Sequence, residues 1–492
     1  MLLITVLFIM LRIPHIGHLL VWDEAWILQA VKSLAGGGGA AIFQNQLWRH
    51  PPMYLTLGLI LAPLKQGFAA RMEIMGLMVH TASLLLFIFI IAKILGNRLA
   101  FYSGIAYAML PGQIFFSTWV KRDALVILFC MFALWCFIKK RDLLAGVFLG
   151  LGFLSKETAV FYALGIICMI PFSRPVKSLG RSLLYILAPI LIISGWWYLF
   201  FASGTKAHFT FFTGISDEAP QFAKPWWHYF TKLIYDLGTP GLLLFAAGLI
   251  AVIPKIGVQE KLKKYIHFKK NRLLPFFFLF PGYLLLSTSY GKPAWMVIAL
   301  YPFLALVIGI GWSYIIKIAA ILISPKNIKR KTTIHPVLSC FLLTAILSFP
   351  VFNLQYTEYL SKISPGTFNM SKRSVLIADT INQSVGKKDK LLFMPMINQK
   401  IAKPHPDPVL FWYLKPGLTI YNVYDLDMDY NAIKKTIVDK QINRLLIFPV
   451  TGSNQEEIAI RILEDINPAG LSLPGKILIL QVDDFWKNLK KI

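Results

Sequence analysis

Four short groups of residues in this chain of 492 residues combine ionisable side chains with a position near the end of an apolar run. The groups are Asp23-Glu24, Lys121-Arg122-Asp123, Lys156-Glu157 and Tyr290-Gly291-Lys292. A carboxylate can take a proton from a nucleophile, and a lysine or arginine can bind a phosphate. Ionisable residues at membrane depth are costly, so they are candidates for function. Together, the groups describe a site for an anionic headgroup with a proton acceptor.

Each group could also have a purely structural role, because charged side chains at helix ends often extend to the membrane interface. For Lys156-Glu157 we expect this interfacial role, whereas for Lys121-Arg122 both readings stay open. Asp23-Glu24 differs, since it follows a helix with no balancing cation nearby in sequence. Adjacent residues on a helix point about 100° apart. One carboxylate is therefore expected to act and the other to position it.

The composition predicts that most of the chain lies in a membrane. The apolar fraction is 56% and only 15% of residues are charged, whereas about a quarter are charged in soluble domains. A formal net charge of +26 would suggest nucleic acid as the partner of a soluble protein. In a membrane protein, enrichment of lysine and arginine in cytoplasmic loops explains such a charge. We therefore expect membrane lipids, and no nucleic acid, as partners.

Apolar runs between charged breaks predict about eleven transmembrane helices of roughly 20 residues each, which makes this part of the chain all-α. The predicted spans are 1–14, 73–95, 99–118, 124–138, 143–155, 158–172, 182–202, 238–253, 273–289, 294–316 and 335–352. Several runs are short for a bilayer. Flanking residues are expected to extend them. His80, inside the second span, is expected to hydrogen-bond to a neighbouring helix.

Alternate loops are rich in basic residues, which predicts the orientation in the cytoplasmic membrane. Residues 255–272, for example, hold seven basic residues and one acidic residue. Because basic loops stay in the cytoplasm, the N-terminus is expected inside. The long loop 15–72, with Asp23-Glu24, and the C-terminal residues 353–492 are then expected outside.

The long apolar runs end near residue 352, and shorter strand-like and helical patterns follow. This change predicts two domains. Residues 1–352 form the predicted transmembrane domain, and residues 353–492 form a predicted extracytoplasmic α/β domain. Four strand-like runs, which alternate with helical patterns, indicate the latter. The runs are Lys390–Met394, Leu418–Val423, Leu445–Val450 and Ile477–Val482.

The order of the motifs resembles the GT-C superfamily of glycosyltransferases. The likeness is closest to relatives of the dolichyl-phosphate-mannose protein mannosyltransferases and the lipid A aminoarabinose transferases, and it covers residues 1 to about 320. The motifs that carry it are Asp23-Glu24, Trp48–Tyr54, Lys121–Asp123, Gly150–Thr158, Tyr290–Trp295 and Tyr301–Leu306.

The resemblance implies an inverting transferase that uses a polyprenyl-phosphate-linked sugar donor at the outer face, with a lipid, glycan or protein acceptor. The implied catalytic residues are Asp23 as general base, Glu24 as its partner, and Asp123. The residues assigned to the donor phosphate are His50, Lys292, Arg122 and Tyr290. Some members of the superfamily use a divalent metal ion and others do not, so the resemblance leaves metal dependence open.

Two other functions compete with a glycosyltransferase. A transporter or flippase of a lipid-linked or anionic substrate is expected to show internal repeats and charges near the bilayer midplane. The chain shows no repeat, and the four groups of candidate residues lie at one predicted face. A membrane scaffold with an outer binding domain leaves Asp23-Glu24 unexplained. The sequence therefore favours the enzyme.

Overall fold

The computed structural model describes a large part of the chain, in two compact units. The described residues are 1–36, 51–61, 67–200, 213, 223–252, 273–323, 336–353, 356–386, 389–394, 408–414, 418–422, 430–442, 444–447 and 478–481. The first unit holds Met1–His18 and Arg49–Pro365, and the second holds Leu19–Trp48 and Gly366–Ile492. The sequence predicts a single boundary, at residue 353, whereas each unit of the structure consists of two separate segments.

The first unit is helical, and its helices follow the apolar runs of the sequence. The α-helices are Leu2–Met10, Met53–Leu61, Phe68–Leu95, Asn97–Met109, Pro111–Phe116, Asp123–Ile138, Asp142–Ser155, Val160–Ser173, Leu179–Ile190, Trp196–Phe200, His228–Val252, Leu274–Thr288, Tyr301–Ile323, Pro336–Asn353 and Tyr356–Ile363. A 3-10 helix, Ala294–Leu300, leads into Tyr301–Ile323. Each predicted span coincides with one or two of these helices.

Within the described residues, four helical segments are long and apolar enough to cross a bilayer. They are Phe68–Leu95, Val176–Phe200, His228–Val252 and Ala294–Ala319. Further apolar helices are shorter, among them Asp123–Ile138 and Leu274–Thr288. The segment Ala294–Ala319 is the most deeply buried of the four, so its apolar surface faces other helices.

The helix His228–Val252 begins ten residues before the predicted span 238–253. It bends at Gly238, which has a φ of +67°. A side chain would be strained at this φ, because L-residues rarely adopt the left-handed region. Pro240 follows two residues later and has no N–H to donate to the preceding turn. The helix therefore continues through the bend with its charged first half included.

The second unit contains a four-stranded sheet. Its strands are β1 (Lys390–Met394), β2 (Thr419–Asn422), β3 (Arg444–Ile447) and β4 (Leu478–Gln481), in the order β2-β1-β3-β4. β1 pairs in parallel with β2 and β3, and β4 is antiparallel to β3. Parallel neighbours need crossover connections. The helices Pro408–Tyr413 and Tyr430–Asp439 lie in those connections. All four strands fall within or overlap the predicted runs.

Two more helices complete the described part of the second unit. Pro365–Ser384 packs its apolar residues into a core with β1 and Pro408–Tyr413. Trp22–Ala35 comes from the N-terminal part of the chain. Asp23-Glu24 lies in its first turn. The pair therefore shares a compact unit with the C-terminal sheet.

Candidate functional site

Asp123 and Lys156 form an ion pair in the first unit. The Lys156 ammonium lies 2.8 and 3.0 Å from the two carboxylate oxygens of Asp123. Both residues are almost completely buried, with 1% of Asp123 and 3% of Lys156 exposed. Asp123 begins the helix Asp123–Ile138, and Lys156 follows the helix Asp142–Ser155. The interfacial role expected for Lys156 is therefore wrong, because the ammonium is held inside the protein.

Lys121 is buried against two tryptophan rings. Its ammonium lies 3.8 Å from the ring centroid of Trp295 and 5.0 Å from that of Trp119. A cation over the face of an aromatic ring is attracted by the ring quadrupole. Trp295 follows Lys292 by three residues, so the contact brings the connection before Asp123 against the connection that holds Lys292. The structure thus joins two of the sequence groups.

Lys292 lies in the turn between Leu274–Thr288 and the 3-10 helix Ala294–Leu300. Only 5% of its surface is exposed, and its ammonium donates to the carbonyl of Ser289. Burial lowers the pKa of the Lys292 ammonium from its ordinary value, because removal from water disfavours the charged form. Tyr290, in the same turn, is exposed at its side chain.

Buried cations therefore gather at connections between apolar helices. Arg122 is also buried and directly precedes the helix that Asp123 begins. Lysine and arginine side chains are the charged donors that bind phosphates in proteins. His50 falls outside the described residues. His80, expected to bond to a neighbouring helix, has its Nδ1 3.3 Å from Nε2 of Gln113 on Pro111–Phe116, which confirms that expectation.

A second buried ion pair, Lys232–Asp236, was not predicted from the sequence. The two side chains bond to each other one turn apart on His228–Val252. The Tyr359 hydroxyl donates to Asp236 Oδ1 at 2.8 Å, and the Lys232 ammonium lies 3.5 Å from the hydroxyl of Tyr301. The signal was a lysine and an aspartate at i and i+4 on an apolar stretch. Both residues lie between the predicted spans 182–202 and 238–253.

This network also approaches the turn that carries Lys292. Tyr229, on the same helix as Lys232, donates its hydroxyl to the carbonyl of Pro293 at 2.9 Å. A Cβ on Gly112 would clash with the Tyr301 hydroxyl, so only glycine fits beside this network. The start of His228–Val252 thus contacts both ends of Ala294–Leu300, at Pro293 and at Tyr301.

Glu24 has a structural role in the second unit. Its carboxylate oxygen Oε2 accepts the backbone N–H of Val21 at 3.0 Å, and Glu24 is completely buried. This bond satisfies a donor before the first turn of Trp22–Ala35, as the glutamate of a capping box does. Asp23 is half-buried. Both carboxylates stand at the positive end of the helix dipole, which stabilises negative charge.

Among the described residues, no group of three His, Cys, Asp or Glu side chains is arranged to hold a metal ion. Asp123 and Asp236 each have a lysine partner, and Glu24 binds a backbone N–H. A hard cation needs several oxygen ligands at one place. These three carboxylates are therefore bound to protein partners.

Comparison with known proteins finds the same fold in solved structures. A sequence model of the dolichyl-phosphate-mannose-protein mannosyltransferase family matches residues 49–198. The crystal structure of ArnT from Cupriavidus metallidurans bound to undecaprenyl phosphate aligns with a TM-score of 0.63 at 12% identity, over 98% of this chain and 97% of that chain. Its apo structure aligns with a TM-score of 0.61 at 13% identity, over 91% and 92%.

No curated protein matches this chain by sequence. The family match contains the Asp123–Lys156 ion pair and ends before Lys292. The structural match extends over nearly the whole length of both chains. The matched segment and the shared fold confirm the resemblance of this chain to the GT-C superfamily of glycosyltransferases.

Proposed function

We propose that this protein is an integral-membrane inverting glycosyltransferase. It moves a sugar from a polyprenyl-phosphate-linked donor to a lipid, glycan or protein acceptor at the outer face of the membrane. The observation that carries the proposal is the gathering of buried lysines and Arg122 at connections between apolar helices. A lipid phosphate needs such cations at a membrane surface, and the ArnT structure with undecaprenyl phosphate supports the same chemistry here.

The reaction needs charge stabilisation and a proton acceptor. The acceptor oxygen forms a bond to the anomeric carbon, while the bond from that carbon to the phosphate oxygen breaks and its electron pair stays on the phosphate. Lys292, Arg122, His50 and Tyr290 are proposed to bind that phosphate and stabilise its growing charge. Asp23 takes the proton of the acceptor as general base. Attack opposite to the leaving phosphate inverts the anomeric configuration.

The two remaining acidic residues are proposed to support this chemistry. Glu24, buried and bound to the Val21 N–H, fixes the first turn of the helix that carries Asp23. Asp123 holds the Lys156 ammonium beside Arg122. In this assignment, Asp23 is the one carboxylate that accepts a proton during the reaction.

The orientation belongs to the same proposal. In this proposal the chain has about eleven transmembrane helices, an inside N-terminus and an extracytoplasmic α/β domain, so that Asp23-Glu24 and the C-terminal strands are on the same side of the membrane. The basic alternate loops support this orientation. The activity assay, run with and without a chelator, tests whether the reaction requires a metal ion.

The test is the release of polyprenyl phosphate by purified protein in lipid nanodiscs. The protein is incubated with a panel of undecaprenyl-phosphate sugars and candidate acceptors, and released undecaprenyl phosphate is measured. We expect release with one donor class and no release by Asp23→Asn. Absence of release from every donor, together with movement of intact donor across a vesicle bilayer, would instead identify a flippase.

A further inference from the structure

The helix Trp22–Ala35 is bound to the C-terminal part of the chain at two places. Just before its first turn, the backbone N–H of Leu20 donates to the hydroxyl of Tyr413 at 3.4 Å. In its last turn, the Lys32 ammonium lies 5.8 Å from the ring centroid of Trp412. Trp412 and Tyr413 are neighbours on Pro408–Tyr413. One short helix therefore holds Trp22–Ala35 near both of its ends.

Pro408–Tyr413 is itself fixed to the core of the sheet domain. Leu410 is buried in a cluster with Ile381 and Leu391 of β1, and Tyr413 packs against the same cluster. The Asn382 side chain donates to the carbonyl of Tyr413 at 2.8 Å. A continuous set of contacts thus runs from the strand β1, through Tyr413, to the residue three positions before Asp23.

The helix needs this support. It has 14 residues, and isolated helices of about 12–15 residues are marginal in water. Its side chains Ala25, Leu28 and Val31 are completely buried. Their spacing of three residues places them on one face, and this face is covered by protein. Packing therefore determines where the first turn lies.

We propose that the C-terminal α/β domain positions Asp23 for proton transfer, with Tyr413 and Trp412 as positioning residues. This inference rests on the proposed function, in which Asp23 is the general base. It gives the C-terminal domain a part in catalysis that does not require a catalytic group of its own. The cations Lys121, Arg122 and Lys292 belong to the other compact unit. Loss of the contacts made by Tyr413 and Trp412 is therefore expected to change turnover and to leave donor binding unchanged.

Tyr413→Phe and Trp412→Ala test the inference in the full-length protein. Leu20 is buried, so Tyr413→Phe leaves its N–H without the hydroxyl, and we expect turnover to fall by about tenfold. Binding of undecaprenyl phosphate stays close to wild type, and the thermal unfolding midpoint falls slightly because a buried N–H loses its acceptor. Tyr421→Phe, in β2 of the same domain, is the matched control and is expected to leave turnover unchanged.

A double-mutant cycle separates positioning from a general loss of structure. Tyr413→Phe acts through Asp23, so it causes no further loss of residual transfer when Asp23 is already asparagine. An equal tenfold loss in both backgrounds would overturn the inference, as would wild-type turnover in Tyr413→Phe and Trp412→Ala. A parallel loss of undecaprenyl phosphate binding would also overturn it. A wild-type protein that releases no undecaprenyl phosphate from any donor contradicts the proposed function itself, and the inference with it.

Discussion

Lys232 and Asp236 form an ion pair one helical turn apart, with less than 5% of either side chain exposed. Tyr359 adds a hydrogen bond to Asp236. A charge removed from water is costly, and its partner offsets that cost only while both are present. The pair therefore couples the start of His228–Val252 to the helix Tyr356–Ile363.

The first prediction concerns this pair. Asp236→Asn leaves the Lys232 ammonium buried without its counter-charge, and we expect the protein to lose about 3–5 kcal/mol of stability. Replacing both residues, as in Lys232→Met with Asp236→Leu, is expected to cost much less. The measurement is the midpoint of thermal unfolding in detergent.

Glu358 and Lys362 provide a matched control. They form an ion pair with the same spacing, but 46% of the Glu358 side chain and 42% of the Lys362 side chain are exposed. Exposed pairs contribute roughly 0–1 kcal/mol, so Glu358→Gln is expected to leave the midpoint nearly unchanged. Equal shifts for Asp236→Asn and Glu358→Gln would contradict the argument from burial.

The second prediction tests the general base. Asp23→Asn cannot take a proton at neutral pH, so single-turnover transfer is expected to fall by about 10²–10⁴-fold with little change in undecaprenyl phosphate affinity. A structural carboxylate would behave in the opposite way, with lower thermal stability and normal turnover. That result would make Asp123 the next candidate.

Glu24 is the subject of the third prediction. Glutamine can still accept the Val21 N–H, whereas alanine cannot. We therefore expect Glu24→Gln to keep part of the activity and Glu24→Ala to lose more, with a stability cost of about 1 kcal/mol, as for other lost helix caps. Measurements of turnover and unfolding on the same samples compare the two variants. Identical losses would show that Glu24 acts through its charge alone.

The fourth prediction concerns Lys292 and pH. Phosphate binding needs the protonated ammonium, and burial lowers the pKa of Lys292. Affinity for undecaprenyl phosphate should therefore fall as the pH rises from 7.5 toward 10, before an ordinary lysine would lose its proton. Lys292→Arg stays charged and removes this decline, and Lys292→Ala weakens binding at every pH. A wild-type affinity that is flat over this range would assign Lys292 to anchoring only.

The fifth prediction tests the orientation. Single cysteines at Lys263 and Lys329 should resist an impermeant thiol reagent in intact cells, whereas cysteines at Asp217 and Asn431 should react. Cys168 is exposed, so the labelling uses a background in which it is serine. The reverse pattern would place the C-terminal domain in the cytoplasm and contradict the outer-face reaction.

Apolar runs were enough to predict where helices and strands lie, because burial in lipid or in a sheet core selects the same residue types over a whole element. The predicted start of His228–Val252 was wrong, because the charges of Lys232 and Asp236 lower the average hydropathy of this segment and so indicate a break between spans. Two charges that neutralise each other can lie inside an apolar helix. The ion pair between Lys232 and Asp236 allows the helix to begin at His228. An average of residue hydropathy over a window does not detect such pairing.

Contacts between distant parts of the chain explain the other differences. Lys156 was expected at the interface because its partner, Asp123, lies 33 residues away. The bond between Leu20 and Tyr413 joins residues 393 positions apart. No periodicity or local spacing encodes such a pairing. The residue types of the candidate site were therefore readable from the sequence, but their partners were not.

The two-segment composition of the second unit affects how the protein is made. Trp22–Ala35 leaves the ribosome long before Pro408–Tyr413 has been synthesised. At roughly 5–20 residues per second, the helix waits on the order of tens of seconds for its partner. During that time its apolar face is open to chaperones, proteases and lipid. A nascent chain that stops before residue 408 would thus leave the carboxylates of Asp23 and Glu24 on a helix without its partner.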